Sequence, residues 1–315
     1  MKRDSLAQTV GVIALAAALM AGAARLQALR EERYPPSAAT DASLYVTSGT
    51  TARRLTAGYN ALAADLYWIR ALQYYGDAKL KLARNTSAPG GAGPSDGYPL
   101  LYPLLDLTTS LDPRFTIAYR FGAIFLAETF PSGAGRPDLA VALLEKGLRD
   151  RPDKWEYMQD IGFVHYWWRH DYKAAAAAFN QASQVEGAPW FLRSLAATTL
   201  VQGGDRASSR TMWESIRATA EIDWLRKDAE KRLMQLDAMD FMSELQSRFD
   251  RYYAGSGTKT RDWAVLIRAG IVPGVPADAA GVPYEIDEAG RVQLSSRSPL
   301  FPLPEEPQHI VPAAS

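Results

Sequence analysis

The sequence predicts an all-α protein: an α-α superhelical solenoid of stacked helix pairs, with an N-terminal transmembrane helix and a small C-terminal β-hairpin. Three observations carry this. Stretches beginning at Pro113, Pro152 and Ala188 align at a period of about 34–39 residues. Each holds two amphipathic blocks joined by a turn, and such a unit buries its apolar face only by stacking on neighbours. Uncharged residues run from position 5 to 24 behind Lys2 and Arg3, about the length that crosses a bilayer core.

In chain order, residues 1–34 form a membrane anchor with a helical extension, which Pro35 and Pro36 stop. Basic residues before the run and a long chain after it predict an inner-membrane, single-pass protein with its body on the outer, periplasmic side. The competing reading is a signal peptide cleaved after Ala21-Gly22-Ala23, which leaves the body secreted or periplasmic. Residues 35–55 read as a polar connector with room for a short strand at 44–47.

The helical repeats span 56–220. From 56 to 82 the pattern is helical, with Leu62, Leu66, Ile69 and Gln73 or Tyr74 along one side. The loop at 85–97, "NTSAPGGAGPSDG", has the composition of a flexible linker or a partner-touching segment. "YPLLYPLLDLTTSLDPRF" is the second helix of this first pair. It ends at Asp112, because a residue before proline avoids the helical region.

The middle copy is the clearest. Gly162 sits where a first helix approaches its neighbour closely, and Ala175, Phe179 and Ala182 share one face of the second helix. Asp171 and Tyr172 form the turn between them. Ala140, Leu144, Gly147 and Pro152 hold equivalent positions in the preceding copy, and Ser209, Trp213 and Ile216 in the following one.

Residues 221–270 read as capping helices: a long one over 222–253, ended by Gly255-Ser256-Gly257, then "TRDWAVLIRAG" closed by Gly270. In 271–298, Tyr284, Ile286, Val292 and Leu294 alternate around an Asp-Glu-Ala-Gly turn, which predicts the hairpin. Residues 299–315 form a proline-rich tail expected to be disordered.

These small and large residues closed by proline resemble the tetratricopeptide repeat, over roughly residues 56–220 and most closely in "YMQDIGFVHYWWRHDYKAAAAAFNQAS". The whole chain is similar to a group of bacterial membrane-anchored repeat proteins with "ADLYWIRALQYYG", "LDPRF" and "LLEKGL" segments. That resemblance implies a protein-binding scaffold and names no reaction. "PADAAGVPYEID" resembles a turn of type II secretion major pseudopilins, with Asp278, Gly281, Pro283 and Tyr284 matching and Ala279 departing. In that family the region lies near a calcium loop, but few oxygen ligands cluster here.

Composition narrows the function classes. Lys+Arg and Asp+Glu both number 35, so the basic excess of a nucleic-acid binder is missing. The chain has no cysteine, which excludes disulfides, thiolate metal sites and a lipoprotein anchor. His165 and His170 are five apart and on different helix faces, so they make no helical zinc pair. No nucleophile elbow, phosphate loop or dinucleotide fingerprint occurs. No cofactor is expected. Asp65 and Asp106 sit in apolar helical stretches and need partners, with Arg70 and Arg120 the nearest candidates.

The predicted function is a membrane-anchored scaffold that binds a protein or peptide through the concave face of its repeats, in assembly of an envelope complex such as a pilus or secretion system. Candidate concave-face residues, from the first helices, are Asn60, Arg70, Gln73, Arg120, Gln159, His165 and Tyr166. Tyr166, Trp167 and Trp168 step by about 100° around a helix, so at least one of them leaves the core for that surface. Two alternatives stand beside this reading: a structural subunit of a larger membrane complex, and an enzyme using Asp65 and Asp106.

Overall fold

The computed structural model describes residues 15–16, 18–26, 29, 33, 48–85, 97–257 and 259–306. Of the apolar run at 5–24, residues 15–16 and 18–24 are helical. Residues 5–14, the strand expected at 44–47, the loop residues 86–96 and the tail from 307 lie outside the described residues. Among the described residues, no helix is long and apolar enough to cross a membrane.

The described chain is mostly helical, with one antiparallel strand pair. Its helices are α1 (Gly49–Leu55), α2 (Asn60–Asn85), α3 (Leu101–Leu111), α4 (Thr116–Ala127), α5 (Pro137–Asp150), α6 (Trp155–Val164), α7 (Tyr172–Ser183), α8 (Phe191–Gln202), α9 (Arg206–Thr219), α10 (Asp223–Ser256) and α11 (Trp263–Arg268). The strands are β1 (Glu285–Ile286) and β2 (Val292–Gln293). From α2 to α10 each helix packs on the next, α3 also reaches α5, and α4 also reaches α6. That is the contact pattern of consecutively stacked helix pairs.

Chain chemistry sets the ends of these helices. Proline follows the α3 C-cap Asp112, whose backbone is extended. Pro137 opens α5, where the missing N–H leaves no helical acceptor unpaired. Asp205 caps α9 by accepting the Ser208 backbone N–H at 3.0 Å. Gly257, at φ 69°, ends α10 in the left-handed region. One expected connector residue set is in fact helical: 49–55 form α1, which lies against α3 so closely that a Cβ on Gly49 would collide with Ser110.

The interior follows the predicted spacing in the middle of the stack. Ala175, Phe179 and Ala182 are fully buried, as are Ala140, Leu144 and Ser209, with Trp213 and Ile216 nearly so. A Cβ on Gly162 would collide with the Phe179 ring, and one on Gly147 would lie 2.8 Å from Tyr157. Each glycine thus sets how closely two helices approach.

The turn of the middle copy falls one residue earlier than expected. α6 widens into a π turn over His165–Arg169, and His170 takes φ 51°. The Asp171 N–H returns to the His165 carbonyl at 3.0 Å. The Asp171 carboxylate caps α7 by accepting the Ala174 N–H at 3.0 Å, leaving Tyr172 as the first helical residue.

At the C-terminal end, Ile286 pairs with Val292 in the hairpin. Tyr284 and Leu294 pack with Ala238 of α10, and Ile286 packs with Leu245 and Phe249. The described part of the tail departs from expectation. Residues 299–306 lack helix and strand, yet Leu300 is buried among Ala238, Tyr284 and Leu294. The buried Gln235 amide donates to the Leu300 and Pro302 carbonyls at 2.7 and 2.8 Å, and Arg206 holds Glu306 at 2.5 Å. An extended proline-rich segment has no internal hydrogen bonds. It is ordered here because another element supplies the donors.

Candidate functional site

The first helices α2, α4 and α6 carry every candidate residue from the sequence except His165 and Tyr166, which fall on the π turn. Their surroundings differ. Arg120 on α4 grips Asp160 on α6 through two parallel bonds, Nε to Oδ2 at 2.6 Å and Nη2 to Oδ1 at 3.0 Å. This fork geometry is available to arginine alone. Burial pushes the Asp160 carboxyl above its ordinary value, against the opposing pull of the Arg120 guanidinium.

Beside this clasp, Ile117, Phe121 and Ile124 are exposed at positions i, i+4 and i+7 of α4. The opposite side of α4 is buried through Ala118, Tyr119, Gly122, Ala123 and Leu126. Three large apolar groups on one outward helix face, next to a charged clasp, form a surface with both anchoring area and orientation. Sequence reasoning missed these three because their spacing is that of a core stripe. Arg120 in the same register was the signal that the face is outward.

The π turn sits at the far end of α6. Burial, reinforced by Arg169, holds the His165 imidazole below its ordinary value of 6.5. Its Nδ1 is buried with no hydrogen-bond partner. Tyr166 packs edge-on to Tyr172 at 5.4 Å and to Trp167 at 4.8 Å. Of the three consecutive aromatics, Trp167 is the exposed one. Gln159 is half-buried on α6.

On α2, Asn60 accepts a hydrogen bond from the Thr56 hydroxyl and so closes the turn that enters the helix. Gln73 is exposed and Arg70 half-buried. The core side of α2 is aromatic: Tyr75 stacks on Phe125 at 4.3 Å, with Trp68 at 6.3 Å from the same ring. Leu62, Leu66 and Ile69, which share the helical pattern, are exposed instead.

The carboxylates expected to be buried partners are arranged otherwise. Asp65 is exposed. Asp106 pairs with Lys146, not with either arginine, at 2.7 Å. The Lys146 ammonium also lies within hydrogen-bond reach of the Asp106 carbonyl at 2.8 Å, Thr109 Oγ1 at 2.9 Å and Ser110 Oγ at 2.7 Å, four acceptors that share its three N–H groups. It is a clamp of α5 on α3. Helical periodicity placed Asp106 correctly but could not name a partner 40 residues away.

In the C-terminal turn, Asp278 Oδ1 accepts from the Ala280 and Val282 N–H groups, both at 2.9 Å, and Oδ2 accepts from Ser298. Its lone pairs close the loop, with Gly281 at φ 78°. Among the described residues, no three His, Asp or Glu side chains gather as a metal-binding group. A cleft of about 340 Å³ lies between α10 and 272–276, lined by Phe241, Leu245, Arg248 and Val272. No protein-family model, curated protein or solved structure matches this chain.

Proposed function

We propose that this chain is a membrane-anchored, tetratricopeptide-type scaffold that binds another protein or peptide through its first helices. Its body lies on the outer side of the cytoplasmic membrane, and its role is in assembly of an envelope complex. One observation carries the binding surface: Ile117, Phe121 and Ile124 stand exposed beside the bidentate Arg120–Asp160 clasp. Stacked helix pairs present extended faces suited to a peptide or helix. No nucleic acid is implied, since the chain carries no net charge.

The test is photo-cross-linking in native membranes, with the probe at Phe121 or Ile124 and a control probe at the exposed Gln181 of α7. A discrete protein adduct at the α4 positions, absent at 181 and lost on Ile117→Asp, which leaves the Arg120–Asp160 clasp in place and melting unchanged, is the expected result. Equal adducts at all positions, or binding retained in Ile117→Asp, would remove the surface from consideration.

A further inference from the structure

We propose that the outward stripe of α2 lies in the surface of a lipid bilayer, so that the body is held to the membrane along a helix as well as by its N-terminal run. The stripe consists of Leu62, Leu66, Ile69 and Leu80, which are 59%, 61%, 49% and 58% exposed. At 100° per residue they fall within an arc of about 60°. The fully buried Ala64 and Ala71 lie on the opposite side of the helix. Leu55 and Tyr59, at the entry to α2, extend the exposed apolar series toward the N-terminus. A helix with one face in the core and an apolar outward face has an unsatisfied side.

Two further observations select lipid as the occupant. The first is charge. Residues 49–85 contain six Lys or Arg and two Asp or Glu, in a chain where each class totals 35. The remaining residues therefore carry 29 basic against 33 acidic. The exposed Gln73 falls within the same arc; Arg70 and Lys81 lie beyond one edge of the stripe, with Asp77 between that edge and them and ion-paired to Lys81 at 2.5 Å, and the exposed Asp65 lies beyond the other edge. Basic residues flanking an apolar helix face fit anionic headgroups above an acyl boundary. An uncharged apolar partner would gain nothing from them.

The second is position. The apolar run ends at residue 24 and α2 begins at Asn60. Among the described residues, α1 and α2 are the first helices packed into the body, and so stand closest along the chain to the bilayer that the run enters. The inference rests on the anchor reading given above.

The chain has no cysteine, so single-cysteine variants report one site each. Full-length Leu66→Cys, Ile69→Cys and control Gln181→Cys, each labelled with an environment-sensitive fluorophore, are reconstituted in vesicles containing phosphatidylglycerol. The expected result is emission from 66 and 69 quenched severalfold by nitroxide-bearing lipid and little affected by aqueous iodide, with the reverse at 181. Iodide quenching at 66 equal to that at 181 would overturn the inference. So would shielding from both quenchers, which identifies a protein or a second copy on the face. Alkaline extraction separates the two levels: a chain that leaves the membrane overturns the anchor and the inference together. A chain that resists extraction while its 66 probe is wet overturns the inference alone.

Discussion

α6 and α2 are both first helices of a pair, and both carry apolar residues at helical spacing, yet they use that spacing in opposite ways. On the α6/α7 pair the periodic residues turn inward: Gly162 lies under the Phe179 ring, and Ala175 and Ala182 flank it in the interior. On α2 the spaced leucines turn outward, and the inward side is built from Ala64, Ala71, Tyr67, Trp68, Tyr74 and Tyr75. The difference shows that a 3.6-residue period identifies a helix face, whereas the neighbours decide whether that face is interior. α6 has helices α4, α5 and α7 against it, while α2 packs chiefly on α3.

The comparison is broken most directly by truncation on each side. Phe179→Ala should cost about 3–5 kcal/mol through lost burial and a cavity, and Leu66→Ala about 0.5 kcal/mol or less. Urea unfolding of full-length chain in detergent measures both. A Leu66→Ala loss matching that of Phe179→Ala would mean that the α2 stripe is interior after all.

A smaller effect sharpens the α4–α6 contact. Arg120→Ala leaves Asp160 buried without its fork and should cost about 1–2 kcal/mol at neutral pH, discounted for the partial exposure of Arg120. The double variant Arg120→Ala/Asp160→Asn should recover most of that loss, because the carboxylate that burial disfavours is then gone. A double variant no more stable than Arg120→Ala would show that packing, rather than the buried charge, sets the cost.

The smallest effect concerns the π turn. The His165 imidazole is held below 6.5 by burial, with Arg169 adding to it. Below that pH the unfolded chain binds the proton that the folded chain refuses. Stability is therefore fully present above 6.5 and falls as pH drops through the depressed folded value. His165→Gln should flatten this part of the profile between neutral pH and pH 5. An unchanged slope in unfolding midpoints would assign the titration to another group.

Legibility followed the range of the interaction. Local signals read correctly: the extended Asp112 before Pro113, the Asp287–Gly290 hairpin turn and the C-terminal Gly257 all depend on residues within a few positions. Gly162 and Gly147 were legible because the repeat itself places a large side chain opposite each. The surface site was less so. Arg120, Gln159 and Gln73 were identifiable as polar interruptions on first helices, but Ile117, Phe121 and Ile124 have the same composition and spacing as a buried stripe. Within α4, only Arg120 beside them marks that face as outward.

The sequence by itself determined the all-α class, the order of paired helices, the spacing of their interior residues and the C-terminal hairpin, because backbone preference and apolar period act over one or two turns. The tertiary structure decided the rest. It turned Leu62, Leu66 and Ile69 away from the interior, matched Asp106 with Lys146 and Arg120 with Asp160, and ordered residues 299–306 through Gln235. The ion pairs span 40 residues and the Gln235 bond to Leu300 spans 65. At such separations only stacking brings the groups within 3 Å of one another, and no local preference can name the partner.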